Sequence, residues 1–292
     1  MLLLIRILSY LPLRVLYAIG DYFVYPLIYY VGRYRRKVVR KNLRNSFPEK
    51  NADEIKALER KFYHHLTNVL AEIIYGYRIS DEELFERMRC TNPEVADQVM
   101  AEKGGVMIML GHFGNWEWMP QIARYFRIEP FMHYNIYRRQ KSESADKAML
   151  QLRERRGYPL IEKNSLLRAM VAQRKDGKYK SYGMICDQKP SPQNQHFWTM
   201  FMNQETSFLD GSELLARKFG YGAVYLHNRC VRRGYYEITV VPISVDGPVM
   251  EGTEYPVTEQ FARLLEQNIR EQPELWLWSH NRWKWGKVKG EK

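Results

Sequence analysis

Cysteine is scarce in this chain: three residues, Cys90, Cys186 and Cys230, lie far apart in 292, with no CxxC pair. That excludes a disulfide-stapled scaffold and a cysteine-built zinc site, and it fits reduced, mostly buried thiols in a cytosol-facing protein. Also missing is the run of about 20 nearly uncharged apolar residues that a clean membrane-spanning helix needs. The segment 2–32 is strongly apolar, but it carries Arg6, Arg14 and Asp21 and is interrupted by Pro12 and Pro26. No small-residue cleavage site follows it, which argues against a signal peptide. There is no internal repeat, low-complexity tract or Gly/Ser linker, so everything beyond this segment reads as one domain. Acidic residues are in deficit, 33 against 45 Lys and Arg, leaving a net charge of +12 and implying an acidic partner. Zinc spacing, a recognition-helix pattern and an RNP-like aromatic block are all lacking, so nucleic acid is not the expected partner.

What is present begins with hydrophobic residues, at 45%, and aromatics, at 14% and mostly Tyr. Tyr and Trp suit places where one end of a ring is apolar and the other wet, membrane interfaces included. Seven basic residues and no acid fall between Arg33 and Arg44. An apolar segment followed by such a cluster predicts a membrane anchor over residues 1–45 with its downstream side in the cytoplasm, and a catalytic domain over 46–292. Each cation near an anionic leaflet adds about 1 kcal/mol of attraction. Spanning and in-plane attachment both remain open at this point.

Apolar spacing predicts a helix from Asn51 to Ile74, capped by Asn51, and a second over Pro93–Lys103. The run Gly105–Leu110 is continuously apolar, as in a strand buried on both faces. Further strands are predicted at 131–136, 181–186, 223–230 and 235–243, and helices at 116–126, 142–155, 165–174, 209–219 and 257–272. Alternating strands and helices indicate an α/β sandwich with a mixed sheet flanked by helices, preceded by an N-terminal apolar membrane-anchoring helix.

The sharpest local signal is Gly111-His112-Phe113-Gly114-Asn115-Trp116-Glu117, placed where the buried strand ends. That edge of an α/β sheet is where ligands usually bind. His112 is positioned to act as general base on a hydroxyl, with Glu117 fixing its tautomer through the second ring nitrogen, as a carboxylate does in a Ser-His-Asp triad. A thioester is already activated, so no protein nucleophile is required. Spacing alone does not separate this reading from a strand-terminal His satisfied by a structural carboxylate. The neighbours Gly111, Gly114, Asn115 and Trp116 favour the catalytic one.

The heptapeptide resembles the HxxxxD/E block of the lysophospholipid acyltransferase superfamily, and most closely that of the bacterial lipid A biosynthesis (late, or secondary) acyltransferases. The resemblance extends to Lys41-Asn42-Leu43 with Phe47-Pro48-Glu49, Tyr137-Arg138, Asp187-Gln188, Leu215-Ala216-Arg217 and the C-terminal stretch from Trp278 to Lys284. It implies a glycerolipid-acyltransferase α/β sandwich on the cytoplasmic face of the inner membrane, without cofactor or metal. The implied reaction moves an acyl chain from acyl carrier protein, or coenzyme A, to a hydroxyl of a lipid A precursor. His112 and Glu117 carry over as the catalytic dyad, and Asn115, Arg138, Asp187 and Arg282 as substrate-binding residues. Asp187 is read as binding a sugar hydroxyl, orienting Arg138 or capping a strand. The C-terminal tryptophans Trp276, Trp278, Trp283 and Trp285 either face headgroups or close the core. Two departures from the family pattern stand out, Arg139 after Tyr137-Arg138 and Phe201-Met202-Asn203 in a loop usually richer in Phe and Gly. A glycerophospholipid, an aminolipid or another lipid remains open as the acceptor, as does a non-catalytic basic membrane-binding protein.

Overall fold

The computed structural model describes residues 2–140, 142–155, 157–244 and 254–284; Trp285 lies outside them. Helices α1 (Leu2–Leu8) and α2 (Leu13–Ile19) open the chain. From α2 the chain runs on through wider, π-type turns at Gly20–Val24 and Leu27–Val31, on either side of Pro26. Proline has no N–H to complete the α-helical ladder, a usual cause of such widening. The single anchoring helix expected from the sequence is therefore not formed, and among the described residues no helix is long and apolar enough to cross a membrane. Instead the segment lies against the domain. Tyr25 and Tyr29 join the main hydrophobic core, while Leu3, Leu4, Ile7, Tyr22, Phe23 and Val31 remain exposed.

The basic cluster forms α3 (Arg36–Ser46). Arg36 and Arg40 close on Glu59, which is fully buried, at 2.8 and 2.7 Å. Helix α4 (Ala52–Tyr75) starts where the sequence places it. The Asn51 side chain accepts from the amides of Asp53 and Glu54, and Glu54 returns a bond to the Asn51 amide, completing a capping box. Next come α5 (Asp81–Arg87), β1 (Met88–Cys90), α6 (Glu94–Lys103) and β2 (Gly105–Leu110). Beyond the His112 turn lie β3 (Phe131–Tyr137), α7 (Glu143–Glu154), β4 (Leu160–Glu162), α8 (Leu166–Gln173) and β5 (Tyr179–Ile185). The chain continues through the hairpin β6 (Phe197–Phe201) and β7 (Gln204–Phe208), then α9 (Gly211–Phe219), β8 (Gly222–Arg232), β9 (Tyr235–Ile243) and α10 (Pro256–Glu271).

Among the described residues, seven strands form one sheet in the order β1-β9-β8-β2-β5-β3-β4. All its pairings are parallel except β8–β9, so the sheet is mixed, as predicted. Every residue of β2 is buried, which explains its uninterrupted apolar run. Its side chains alternate between two cores. Met107 and Met109 pack on the face covered by α10 and Trp276, whereas Val106, Ile108 and Leu110 pack on the face that also holds Met100, Met119 and Ile122.

Four elements were not legible in the sequence: α5, the three-residue strands β1 and β4, and the β6–β7 hairpin. Its turn is Met202-Asn203, both at positive φ (50° and 59°), so the usual Gly signal is absent. The helix predicted over 116–126 forms only a 3₁₀ segment at Met119–Tyr125, which carries Pro120 in its first turn.

Candidate active site

The site is built at the carboxyl ends of β2 and β5, which pair in parallel with Leu110 opposite Ile185. Two residues beyond each partner stand His112 and Asp187, brought to the same sheet edge by that register. The Asp187 carboxylate takes the His112 backbone N–H on Oδ2 at 2.7 Å and meets Nδ1 of the ring through Oδ1 at 2.6 Å. The Trp276 indole donates to Oδ2 at 2.8 Å. Burial opposes the charge on Asp187, but the adjacent imidazole, the His112 amide and the Trp276 indole outweigh it and hold the carboxyl down at about 2.

On the other side of the ring, the Gln188 side-chain amide lies 3.2 Å from Nε2. Asp187 and Gln188 thus flank the imidazole, one at each ring nitrogen. The Trp116 ring packs edge-on at 5.3 Å. The His112 side chain retains 14% exposure.

The turn around His112 is held from several directions. The His112 carbonyl accepts from Leu277, the Gly114 amide donates to the Leu275 carbonyl, and Asn228 donates to the Phe113 carbonyl. Gly114 has φ +59°, and a Cβ there would stand 2.4 Å from Asn228 Nδ2, so this position requires glycine.

The predicted contact between Glu117 and His112 is not made. Glu117, 7% exposed, instead receives a two-pronged bond from Arg153 of α7, Nε to Oε2 at 2.9 Å and Nη2 to Oε1 at 2.7 Å. Because residues 116–118 turn rather than continue a helix, the Glu117 side chain points away from the imidazole into the wall of an apolar pocket. Ile108, Leu110, Trp116 and Ile185 line that pocket beside Glu117 and Arg153. Arg153 carried no motif in the sequence, and only its position on α7 brings it here.

Asn115 is fully buried, and both ends of its amide are used inside the protein. Nδ2 donates to Glu72 at 2.8 Å and Oδ1 accepts from the Trp118 amide at 3.2 Å. These bonds shape the turn from inside the protein. Asp187 orients His112, not Arg138, which is exposed at the end of β3.

Arg282 is 3% exposed, lies 4.8 Å from the Phe208 ring centre and donates to the Ser207 carbonyl. Among the described residues, its Nε has no hydrogen-bond partner. Burial depresses its pKa to about 10, against the pull of the Asp187 charge. Trp276 and Trp278 are buried and close the core, and Trp283 packs against it. Helix α3 meets the same C-terminal segment. Asn42 donates to the carbonyls of Trp278 and His280, and Arg35 to that of Ser279. An open groove lined by Arg33, Arg35, Lys37, Lys41 and Arg44 runs along α3.

Residues 1–285 match the model of the family described as bacterial lipid A biosynthesis acyltransferase. The lipid A biosynthesis palmitoleoyltransferase of Escherichia coli (strain K12) is 25% identical over 255 residues, covering 86% of this chain and 79% of that protein. The lipid A biosynthesis acyltransferase of Shigella flexneri matches with the same identity and coverage. A match across nearly the whole chain places it in the bacterial lipid A biosynthesis acyltransferase family, as an O-acyltransferase.

Proposed function

We propose that the chain transfers a fatty acyl group from an acyl thioester, by preference on acyl carrier protein, to a hydroxyl of a lipid A precursor at the cytoplasmic face of the inner membrane. The observation that carries the mechanism is the His112 ring, held on Asp187 through Nδ1 with Nε2 on the opposite side beside Gln188. The acceptor hydroxyl gives its proton to Nε2 while its oxygen attacks the thioester carbon. The tetrahedral intermediate then expels the thiolate, which takes the proton back from the imidazolium. Asp187 holds the ring and balances its transient charge. Glu117 acts with Arg153: the carboxylate fixes the guanidinium at the wall of the apolar pocket, as a fixed positive charge for the developing oxyanion. Arg282, which among the described residues has no carboxylate partner, and the exposed Arg138 meet anionic groups of the substrates.

The basic groove along α3 supports an acidic carrier as donor, because charge of one sign steers encounter and is screened by salt. The specificity constant with acyl carrier protein is expected to exceed that with acyl-coenzyme A, the gap narrowing as salt rises. Equal use of both donors at low ionic strength would refute the preference.

Attachment is proposed to be in-plane. The exposed Leu3, Leu4, Ile7, Phe23 and Val31 supply the apolar contact, and the adjoining basic groove attracts anionic headgroups. The full-length, tag-free chain is expected to pellet with vesicles containing anionic lipid, and substituting Ser for Leu3, Leu4 and Phe23 together should release most of it. Recovery of the unaltered chain in the supernatant at both low and high salt would count against attachment.

A further inference from the structure

Glu72, on α4, is fully buried, and none of the ion pairs among the described residues includes it. Its carboxylate is satisfied by three donors from three parts of the chain. Tyr17 Oη of α2 lies 2.7 Å from Oε1, while Asn115 Nδ2 and Tyr236 Oη of β9 lie 2.8 and 2.9 Å from Oε2. Burial raises the carboxyl above the ordinary carboxylate value even against the pull of the three donors. A carboxylate buried this deeply is costly to keep. Two phenols and an amide would be served at lower cost by a neutral acceptor, unless the geometry that the carboxylate imposes on one of them matters.

Asn115 is the donor for which it matters. It follows His112 by three residues and precedes Glu117 by two, and its Oδ1 receives the Trp118 amide. The Asn115 amide thus ties both sides of the turn that carries His112 and Glu117 to a single carboxylate on the longest helix of the fold. Gly114, next to it, faces His65, another buried residue of α4 one heptad before Glu72.

At its other oxygen, Glu72 holds Tyr17, which belongs to the N-terminal segment bearing the exposed apolar side chains. Tyr17 is itself pinned by the β8–β9 turn. The Arg233 guanidinium stacks at 4.0 Å over its ring, and a Cβ at Gly234 would meet its hydroxyl at 2.3 Å. Arg233 also pairs with Asp21 at 2.8 Å.

We propose that Glu72 is a positioning residue for acyl transfer, coupling the seating of the N-terminal segment, through Tyr17, to the alignment of the His112 turn, through Asn115. The proposal rests on the acyltransfer reading above. It makes the apolar segment part of the catalytic apparatus as well as a membrane contact, since losing the Tyr17 bond frees the carboxylate that aligns the turn.

The test uses the full-length protein on lipid vesicles, with kcat, donor KM and thermal stability measured on the same preparations. Glu72→Gln keeps the shape and still accepts from Tyr17, but its amide nitrogen now meets the Asn115 nitrogen, donor against donor. It is expected to lower kcat at least tenfold with donor KM unchanged within about twofold. Tyr17→Phe, further from the chemistry, is expected to lower kcat three- to tenfold in the same KM-independent way. The paired change Glu72→Gln/Asn115→Asp restores the bond with donor and acceptor exchanged, and should recover at least a third of the wild-type kcat. A merely structural role moves thermal stability and the folded fraction without this split or this rescue. Wild-type kcat in folded Glu72→Gln, or a paired change no better than the single ones, would overturn the proposal. If His112→Ala is inactive while Glu72→Gln is normal, only this inference fails; if His112→Ala is active, the acyltransfer mechanism fails with it.

Discussion

Replacing His112 with Ala is expected to lower turnover per folded molecule by roughly a hundredfold to ten-thousandfold, the range set by loss of a general acid–base group. Donor KM should change little, because the imidazole is assigned to proton transfer and the donor is held by the pocket and the basic groove. Stability should fall only modestly. The ring is partly exposed, and Asp187 keeps the His112 backbone N–H and the Trp276 indole as donors. Thermal stability measured on the same sample separates the two effects. Turnover close to that of the unaltered chain from well-folded His112→Ala would end the mechanism proposed here.

The second large effect is expected at the carboxylates, and it distinguishes their roles. Asp187→Asn keeps the shape but removes the charge that faces the imidazolium, and its amide nitrogen competes with Nδ1–H as a donor, favouring the wrong tautomer. The corresponding change in a Ser-His-Asp triad costs about ten-thousandfold, so a loss of roughly a hundredfold to ten-thousandfold in kcat is expected here. Glu117→Gln should also lower turnover, by a different route. It leaves the largely buried Arg153 without its ion-pair partner, at a stability cost on the order of 3 kcal/mol, and loosens the guanidinium at the pocket. Glu117→Asp, which keeps the charge, should retain part of the activity. If Glu117→Gln proves kinetically silent in a folded protein, Glu117 has no part in the chemistry. If Asp187→Asn is silent, Asp187 is not the residue that orients the base.

The pH dependence of stability follows from the same carboxylate. Asp187 is held at about 2 in the folded chain against an ordinary value of 3.8. Its contribution is complete above the unfolded value and disappears as pH falls through the folded one. Asp187 consequently remains ionised wherever a physiological assay is run. Acid titrations of unfolding should show the unaltered chain and Asp187→Asn converging below about pH 2.

Local pattern was enough to read much of this protein. The fully apolar 105–110 announced a strand buried on both faces because a parallel interior strand has no polar side to display. Asn51 announced the start of α4 because a capping side chain closes on the first turn. His112 stood out because glycines, an Asn and a Trp surround it at the end of that strand. The sequence by itself determined the α/β class, the place of His112 at the end of a buried strand and the basic run beside an apolar N-terminal segment. Its three-residue strands and the Met202-Asn203 turn were beyond reach, since neither leaves a periodicity or a glycine to detect. Only the tertiary structure decided which carboxylate meets the imidazole. Glu117 is five residues away along the chain and Asp187 is 75, yet the parallel register of β2 and β5 sets Asp187 beside His112. The turn after His112 sends Glu117 to Arg153 instead. Proximity along a chain predicts contact only where the intervening backbone is regular, and between residues 112 and 117 it is not.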